Sequence, residues 1–287
     1  REEVVDSGLV YATRIFRAPA GSQDFPVVNV QADARRPVPG QTATLIPIEN
    51  GRWLVTTSGT RGGPPSAKAE EFEAFARQVR DPVVADLIAH AEPLTDVHIS
   101  RSTVNRRRFF EALTPWPAGF VAMGDAVATY NPVYGHGMTV AAQGATALRR
   151  ALDSGARDDP RLARRTQRAV ARAVEGPWNL ATGQDLRYPG ATGGQPSAAA
   201  RLLHGYMDRL TRTSTSQPDT ARALLDAMTL SRPLSSLMRP SVVVRVLRGP
   251  SRPPLVAPPL SPEERAFRSS GSADAEPADA GPERESS

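Results

Sequence analysis

Two runs of β-favouring residues, Thr42 to Glu49 and Arg52 to Thr57, flank Asn50-Gly51, and this pair constrains the fold of the chain more than any other feature. Asparagine and glycine tolerate the positive φ values of a type I′ turn, so the two runs are expected to pair as an antiparallel hairpin. Pro47 has no N–H to give to a ladder and is expected at an edge or facing outward. Gly8 to Phe16 is strand-like through Val10, Tyr11, Thr13, Ile15 and Phe16, and Pro26 to Gln31 is a shorter candidate. Helices interrupt this β-rich stretch. Ser66 is expected to cap a segment carrying Glu70, Phe72, Phe75 and Val79, and Asp81-Pro82 to open another that turns Val83, Val84, Leu87 and Ile88 inward. Leu94, Val97, Ile99 and Val104 then alternate with Asp96, His98, Ser100 and Arg101, which suggests a long strand pairing with the hairpin. Residues 1–110 therefore read as an antiparallel sheet with helices on one side.

The remaining composition narrows the classes of function. The 287 residues contain no cysteine, which excludes disulfide scaffolds, cysteine-based zinc sites and thiol nucleophiles. No apolar run approaches the length of a membrane span, so the expectation is a soluble, cytoplasmic protein. The net charge of +5 comes from arginine, since Lys68 is the one lysine. That bias, together with abundant Ala, Gly and Pro, is typical of a GC-rich genome and accounts for the basicity without a nucleic-acid partner. The chain opens Arg1-Glu2-Glu3 without an initiator Met and reads as mid-chain sequence.

After Pro115-Trp116-Pro117 the pattern changes. Gly119-Phe120-Val121-Ala122-Met123 has the character of a short buried strand, ending in Gly124-Asp125. A loop of special residues, Asn131-Pro132-Val133-Tyr134-Gly135-His136-Gly137, leads into a helix of small residues from about Met138 to Leu152. The segment Arg161 to Val174 puts Arg161, Arg164, Arg165, Arg168 and Arg172 on one helical face, either a solvated basic face or a phosphate contact. Further helices are expected at 198–212 and 219–230, while 242–247 is ambiguous. From Gly249 the chain is rich in Pro, Ser, Ala and charge without periodicity and is expected to be disordered.

Chemistry concentrates in Gly119 to Met138. An aspartate at a strand end is poorly placed for packing and well placed to accept hydrogen bonds from ligand hydroxyls. Gly124 permits close backbone approach, and Gly135 and Gly137 expose backbone N–H groups to a flat, partly anionic ligand at a helix start. The alternative is that Asp125 caps a turn and the glycines punctuate it. His136 is open between a loop-packing role and an acid/base role.

In this order the residues resemble a family. Gly119-Phe120-Val121-Ala122-Met123-Gly124-Asp125-Ala126, followed by Asn131-Pro132-Val133-Tyr134-Gly135-His136-Gly137-Met138-Thr139, is similar to the second flavin-binding motif of FAD-dependent monooxygenases of the aromatic-hydroxylase type. The nearest likeness is to the actinobacterial branch that includes the polyether epoxidases. Pro177-Trp178-Asn179-Leu180-Ala181 and Asp185-Leu186-Arg187-Tyr188-Pro189 are similar to a downstream element of that branch. The resemblance covers roughly residues 5–240.

It implies an α+β fold, a partial FAD/NAD(P)-binding flavoprotein. The substrate-domain portion would be 1–112, the flavin motif 113–155, a helical region 156–248 and a tail 249–287. It implies that Asp125 bonds the ribityl chain with Gly124 giving room, that Pro132 lines the flavin ring, that the backbone at Gly137 and Met138 faces the pyrimidine edge, and that Gly135 is among the cofactor-binding residues. A helix N-terminus there would suit the negative charge of reduced flavin. The implied cofactors are FAD and, as reductant, NADPH or NADH. The implied reaction moves one oxygen atom from a flavin C4a-hydroperoxide to an aromatic or polyene-like small molecule, and no side-chain nucleophile or metal is required. No Gly-x-Gly-x-x-Gly turn for the FAD pyrophosphate occurs in the sequence. The chain is therefore expected to be the C-terminal portion of such an enzyme. The alternative is a non-catalytic remnant that does not bind FAD on its own.

Overall fold

The computed structural model describes residues 1–22, 25–154, 159–195, 198–253, 255 and 257–269. It is a mixed fold of helices and antiparallel sheet. The N-terminal β1 (Glu2–Val5) lies apart from the main sheet, which is built from β2 (Val10–Arg17), β3 (Val28–Val30), β4 (Gln41–Ile48) and β5 (Arg52–Gly59). The strands run in the order β3-β4-β5-β2, every pair antiparallel. Asn50 and Gly51 take φ values of 63° and 61°, the left-handed conformation that the Asn-Gly pair accepts at little cost. Ile48 faces Arg52, so the connection is Glu49-Asn50-Gly51. β3 covers only Ala43 to Leu45 of β4, which leaves Pro47 on an open edge as expected of a residue without an N–H.

One face of this sheet is apolar because the side chains alternate. Ala12, Phe16, Ala43, Leu45, Trp53 and Val55 point to the same side and are buried. α1 (Ala69–Gln78) and α2 (Val83–Ile88) close over them with Phe72, Ala76, Val83, Val84, Leu87 and Ile88. Burial of each large side chain stabilises the fold by about 1.5–3 kcal/mol. The Asp81 carboxylate accepts the Val83 amide at 2.9 Å in a turn that leads into α2, but the cap position is Pro82, one residue later than expected of Asp81. Ser66 does not cap α1: its hydroxyl accepts the Lys68 amide at 3.1 Å in a local turn, and the helix begins three residues later.

The alternation at 94–104 does not form one strand on the hairpin. It yields β6 (Glu92–Pro93) and β7 (His98–Ser100), two short pieces on the outer side of β2. Between them the Thr95 hydroxyl replaces a ladder carbonyl by accepting the Ile15 amide, and the register slips. The chain then leaves this sheet. β8 (Asn105–Arg108) pairs with β1 on one side and with β9 (Ala128–Thr129) on the other.

The segment 119–123, expected as a strand, is not one. Ala118-Gly119 is a turn and 120–123 is irregular, with the Ala122 amide taken by the Gln167 side chain at 2.8 Å. Among the described residues no strand lies beside it to complete a ladder, and an isolated strand has no backbone partners. The helix after it is α3 (Gly137–Asp153), which pairs with α4 (Leu162–Asp185). Val140 of α3, Val170, Val174, Trp178 and Ala181 of α4, and Ala122, Val127 and Tyr130 form a second core. The exposed arginines at 161, 165, 168 and 172 follow the expected face of α4. Arg165 is paired with Asp159 at 2.6 Å.

α5 (Ala198–Ser214), α6 (Pro218–Met228) and α7 (Pro240–Arg248) form a third cluster around Leu210, Ala227, Leu237, Val242 and Val246, which settles 242–247 as helix. The stretch expected to be disordered contains α8 (Pro262–Ser269). Leu260 and Phe267 pack against the core of the main sheet. Arg268 donates to Asp86 at 2.9 Å and lies 3.6 Å from Asp81. These anchors sit too far apart for a periodicity to reveal them. The expectation for 270–287 lies outside the described residues. No helix among the described residues is long and apolar enough to cross a membrane.

Candidate functional site

The two segments singled out in the sequence meet at the N-terminus of α3. Gly124-Asp125-Ala126 is a single 3-10 turn entered through Gly124 at φ 58°, a conformation that disfavours a side chain. A β-carbon at Gly124 would lie 3.9 Å from that of Ala141, one turn into α3, so this turn rests on the helix start. A second 3-10 turn, Pro132–Tyr134, ends at Gly135, which is left-handed at φ 66°, ψ 15°, and releases the chain through His136 into α3. Gly124, Asp125, Pro132, Gly135, Gly137 and Met138 thus surround one helix terminus.

That terminus is open and unsatisfied. The amides of Gly137, Met138 and Thr139 have no acceptor among the described residues, and the first turn contains no acidic side chain. A β-carbon at Gly135 or Gly137 would meet no atom within 4 Å. Pro132 is exposed, and Met138 is 88% exposed although it is apolar. Asp125 is also exposed and caps no turn, which removes the capping alternative for its carboxylate. Free donors, the positive end of a helix dipole of 17 residues, a free carboxylate and open space suit a ligand with an electron-rich flat edge and hydroxyl groups. The ring and ribityl end of a flavin is such a ligand. For a pyrophosphate, the described residues contain no Gly-x-Gly-x-x-Gly turn; Gly59, at the end of β5, and Gly62 and Gly63, between β5 and α1, lead into Pro64-Pro65 instead.

Behind this surface the loop is held by a buried polar network. Asn131 is fully buried; its backbone N–H donates to Asn105 Oδ1 at 2.8 Å and its Oδ1 accepts the Tyr11 hydroxyl at 2.8 Å. Its Nδ2 donates to Asp185 Oδ2 at 3.2 Å, where Asn105 Nδ2 also donates at 2.7 Å. The Tyr134 hydroxyl donates to Asp185 Oδ1 at 2.5 Å. Burial pushes the Asp185 carboxyl above its ordinary pKa, while the bonds from Tyr134, Asn131 and Asn105 favour the ionised form and oppose that shift. Burial, with the nearby Asp185 charge, also raises the Tyr134 phenol. Arg187 is no counter-ion for Asp185, because it forms a two-pronged pair with Asp208 at 2.9 Å on both arms.

His136 belongs to the support of the loop. Its ring is buried between Tyr130 and Tyr134, and its Nε2 faces the Met228 carbonyl at 3.1 Å. A carbonyl only accepts, so Nε2 carries the hydrogen and Nδ1 is left without a partner. Burial lowers the pKa of the ring. This is a packing histidine that ties the loop to the end of α6.

The reading of the sequence missed Tyr11, Asn105 and Asp185 as parts of the site. For Asp185 a signal was present: Val174, Trp178 and Ala181 place a buried stripe along α4, and Asp185 continues it. An acid on an apolar stripe requires partners. Tyr11 and Asn105 carry no such mark, since their contacts span 120 and 80 residues.

No protein-family model matches the sequence. Over 194 residues the chain is 31% identical to Protein Rv3254 of Mycobacterium tuberculosis, covering 67% of this chain and 40% of that protein. Its fold is similar to that of the Diels-Alderase PyrE3 of pyrroindomycin biosynthesis, with a TM-score of 0.51 and 15% identity over 82% of this chain and 46% of the other. It is also similar to a flavoprotein/dehydrogenase from Cytophaga hutchinsonii, with a TM-score of 0.50 and 12% identity over 83% of this chain and 52% of the other. The chain spans 40% of the curated relative's length and about half of each structural relative, and its fold is of a kind that flavoproteins use.

Proposed function

We propose that this chain is part of an FAD-dependent monooxygenase and that the N-terminus of α3 is its contact with the flavin ring. The observation that carries the reading is the set of unpaired amides at Gly137, Met138 and Thr139, facing open space beside the free carboxylate of Asp125. The flavoprotein-like fold supports it. When bound, the flavin supplies the redox chemistry, taking electrons from a reduced nicotinamide dinucleotide and delivering one atom of dioxygen to an aromatic or alkene substrate.

The residues of the chain bind, orient and exclude water. Asp125 accepts hydrogen bonds from the ribityl hydroxyls, and Gly124 keeps the backbone free of a side chain there. Pro132 lies along the ring. The amides of Gly137 and Met138 face its pyrimidine edge, the Gly135 amide being taken by the Pro132 carbonyl at 3.0 Å, and the positive end of the α3 dipole stabilises negative charge gathered there on reduction. Exposed Met138 is covered by the ligand.

Fluorescence titration of the purified chain with riboflavin and with FAD tests this. Riboflavin carries the ring and ribityl parts that these residues contact, so saturable quenching by both compounds is the expected result. If neither binds, the site assignment is wrong and the alternative, a chain that binds no flavin on its own, is correct.

A further inference from the structure

We propose that Asp185 is a positioning residue: its buried carboxylate fixes the Asn131–Gly137 loop in the conformation that presents the α3 N-terminus, and thereby sets the affinity of that terminus for flavin. Its second half rests on the flavin reading above; its first half does not.

The loop has little regular structure to hold it. Its conformation depends on four side-chain contacts from separate parts of the chain: Asn105 on β8, Tyr11 on β2, the Met228 carbonyl at the end of α6, and Asp185 at the end of α4. Among these Asp185 is the node. It is 2% exposed and accepts from Asn105, Asn131 and Tyr134, so one carboxylate ties β8 and both ends of the Asn131–Tyr134 turn to α4. Among the described residues no cation forms an ion pair with it, and Arg187 is committed to Asp208. The three donors therefore do the work of a counter-ion; Asn105 Nδ2 also reaches the Val5 carbonyl, at 3.5 Å, but its shorter bond, at 2.7 Å, is to this carboxylate. A carboxylate placed merely for packing would not be buried at the far end of a helix facing three polar donors.

Asp185 is distinct from the residues assigned to the flavin surface, since it lies behind the loop. Replacement by asparagine preserves shape but turns one acceptor into an NH2 group facing donors. The test uses the full chain in four forms: wild type, Asp185→Asn, Tyr134→Phe, and the swap Asp185→Asn with Asn131→Asp, which restores a donor opposite an acceptor. Amide hydrogen exchange across residues 131–138 reads loop order without any ligand. Riboflavin titration with visible circular dichroism of the bound flavin reads the site. Far-ultraviolet circular dichroism confirms folding, and Tyr134→Phe keeps the test usable if Asp185→Asn does not fold.

The expected result is faster exchange confined to 131–138 in both single variants. Flavin affinity should fall by roughly tenfold or more on loss of the charge-assisted bonds, and the swap should restore both readouts. Unchanged exchange at 131–138 overturns the proposal, as does faster exchange with unaltered flavin affinity, or a swap that restores neither. If wild type binds no flavin, the flavin reading falls and the exchange arm alone decides whether Asp185 anchors the loop.

Discussion

Gly137→Ala separates the stability of the α3 terminus from its use as a binding surface, because the two effects have opposite signs. Gly137 is the first residue of α3, its φ is not positive, and a β-carbon there would meet no atom within 4 Å. Alanine therefore fits without strain, and the gain comes mainly from the lower entropy of the unfolded chain, about 0.4–1 kcal/mol. For a chain of this size that raises the melting temperature by about 1–4 °C. The same methyl group projects into the space where a flavin edge approaches the backbone. Forcing an extra carbon into a close contact costs about 1–3 kcal/mol, which weakens binding by a factor of about 5–150. Differential scanning fluorimetry of the ligand-free chain measures the first effect and riboflavin titration the second. A stabilised variant that binds flavin as tightly as wild type would refute the placement of the ligand at Gly137. A destabilised variant would refute the described helix start.

Other consequences are open to direct measurement. Burial lowers the pKa of His136 and of His204. The unfolded chain therefore takes up protons first, so stability is fully present above the ordinary histidine value near 6.5 and declines as pH falls toward the folded value; thermal melts against pH should show a shallower decline in His136→Asn, and an unchanged slope would count against the buried neutral ring. Phe267→Ala should cost about 1 kcal/mol by uncovering part of the sheet core, and Arg268→Ala less than about 1 kcal/mol because its pairs are partly exposed; urea titration checks both, and an unaffected Phe267 variant would mean that α8 does not pack. Met138, at 88% the most exposed large apolar side chain among the described residues, should be the first methionine oxidised by dilute peroxide, and saturating riboflavin should slow that oxidation as followed by peptide mass spectrometry.

The parts of the fold that could be read in the sequence are those with local causes. Asn50-Gly51 specified the hairpin because positive φ is a property of the two residues themselves, and Asp81-Pro82 announced the start of α2 because the Asp81 carboxylate acts two residues away. The openness of the loop before α3 was legible for the same reason: glycine at 135 and 137 leaves space that no described contact fills, and its use by a flavin is the proposal made above. Long-range causes were not legible. The 119–123 segment has the composition of a buried strand, but a strand exists only where a neighbour offers a ladder, and the Ala122 amide finds the Gln167 side chain instead. Alternation at 94–104 gave the right face of the right sheet, while the break at Thr95 depends on one hydroxyl meeting Ile15. Asp185 was read as a member of a motif, although the buried stripe of Val174, Trp178 and Ala181 also marked it. Its purpose emerges once Asn105, Asn131 and Tyr134 converge on it from distances of 80, 54 and 51 residues.

The return of α8 to the first sheet also bears on the order in which the protein is made. All buried members of that core lie between Ala12 and Ala91, yet Leu260 and Phe267 help to close it. At translation rates of about 5–20 residues per second, roughly 10–35 s separate the synthesis of the sheet from that of its last covering side chain. During that interval the nascent chain carries an open apolar flank beside α2, exposed to chaperones and to neighbouring chains. The α8 segment is therefore the closing step of a core begun much earlier in the chain, and protease resistance of the sheet should rise between chains arrested before and after Phe267 has emerged.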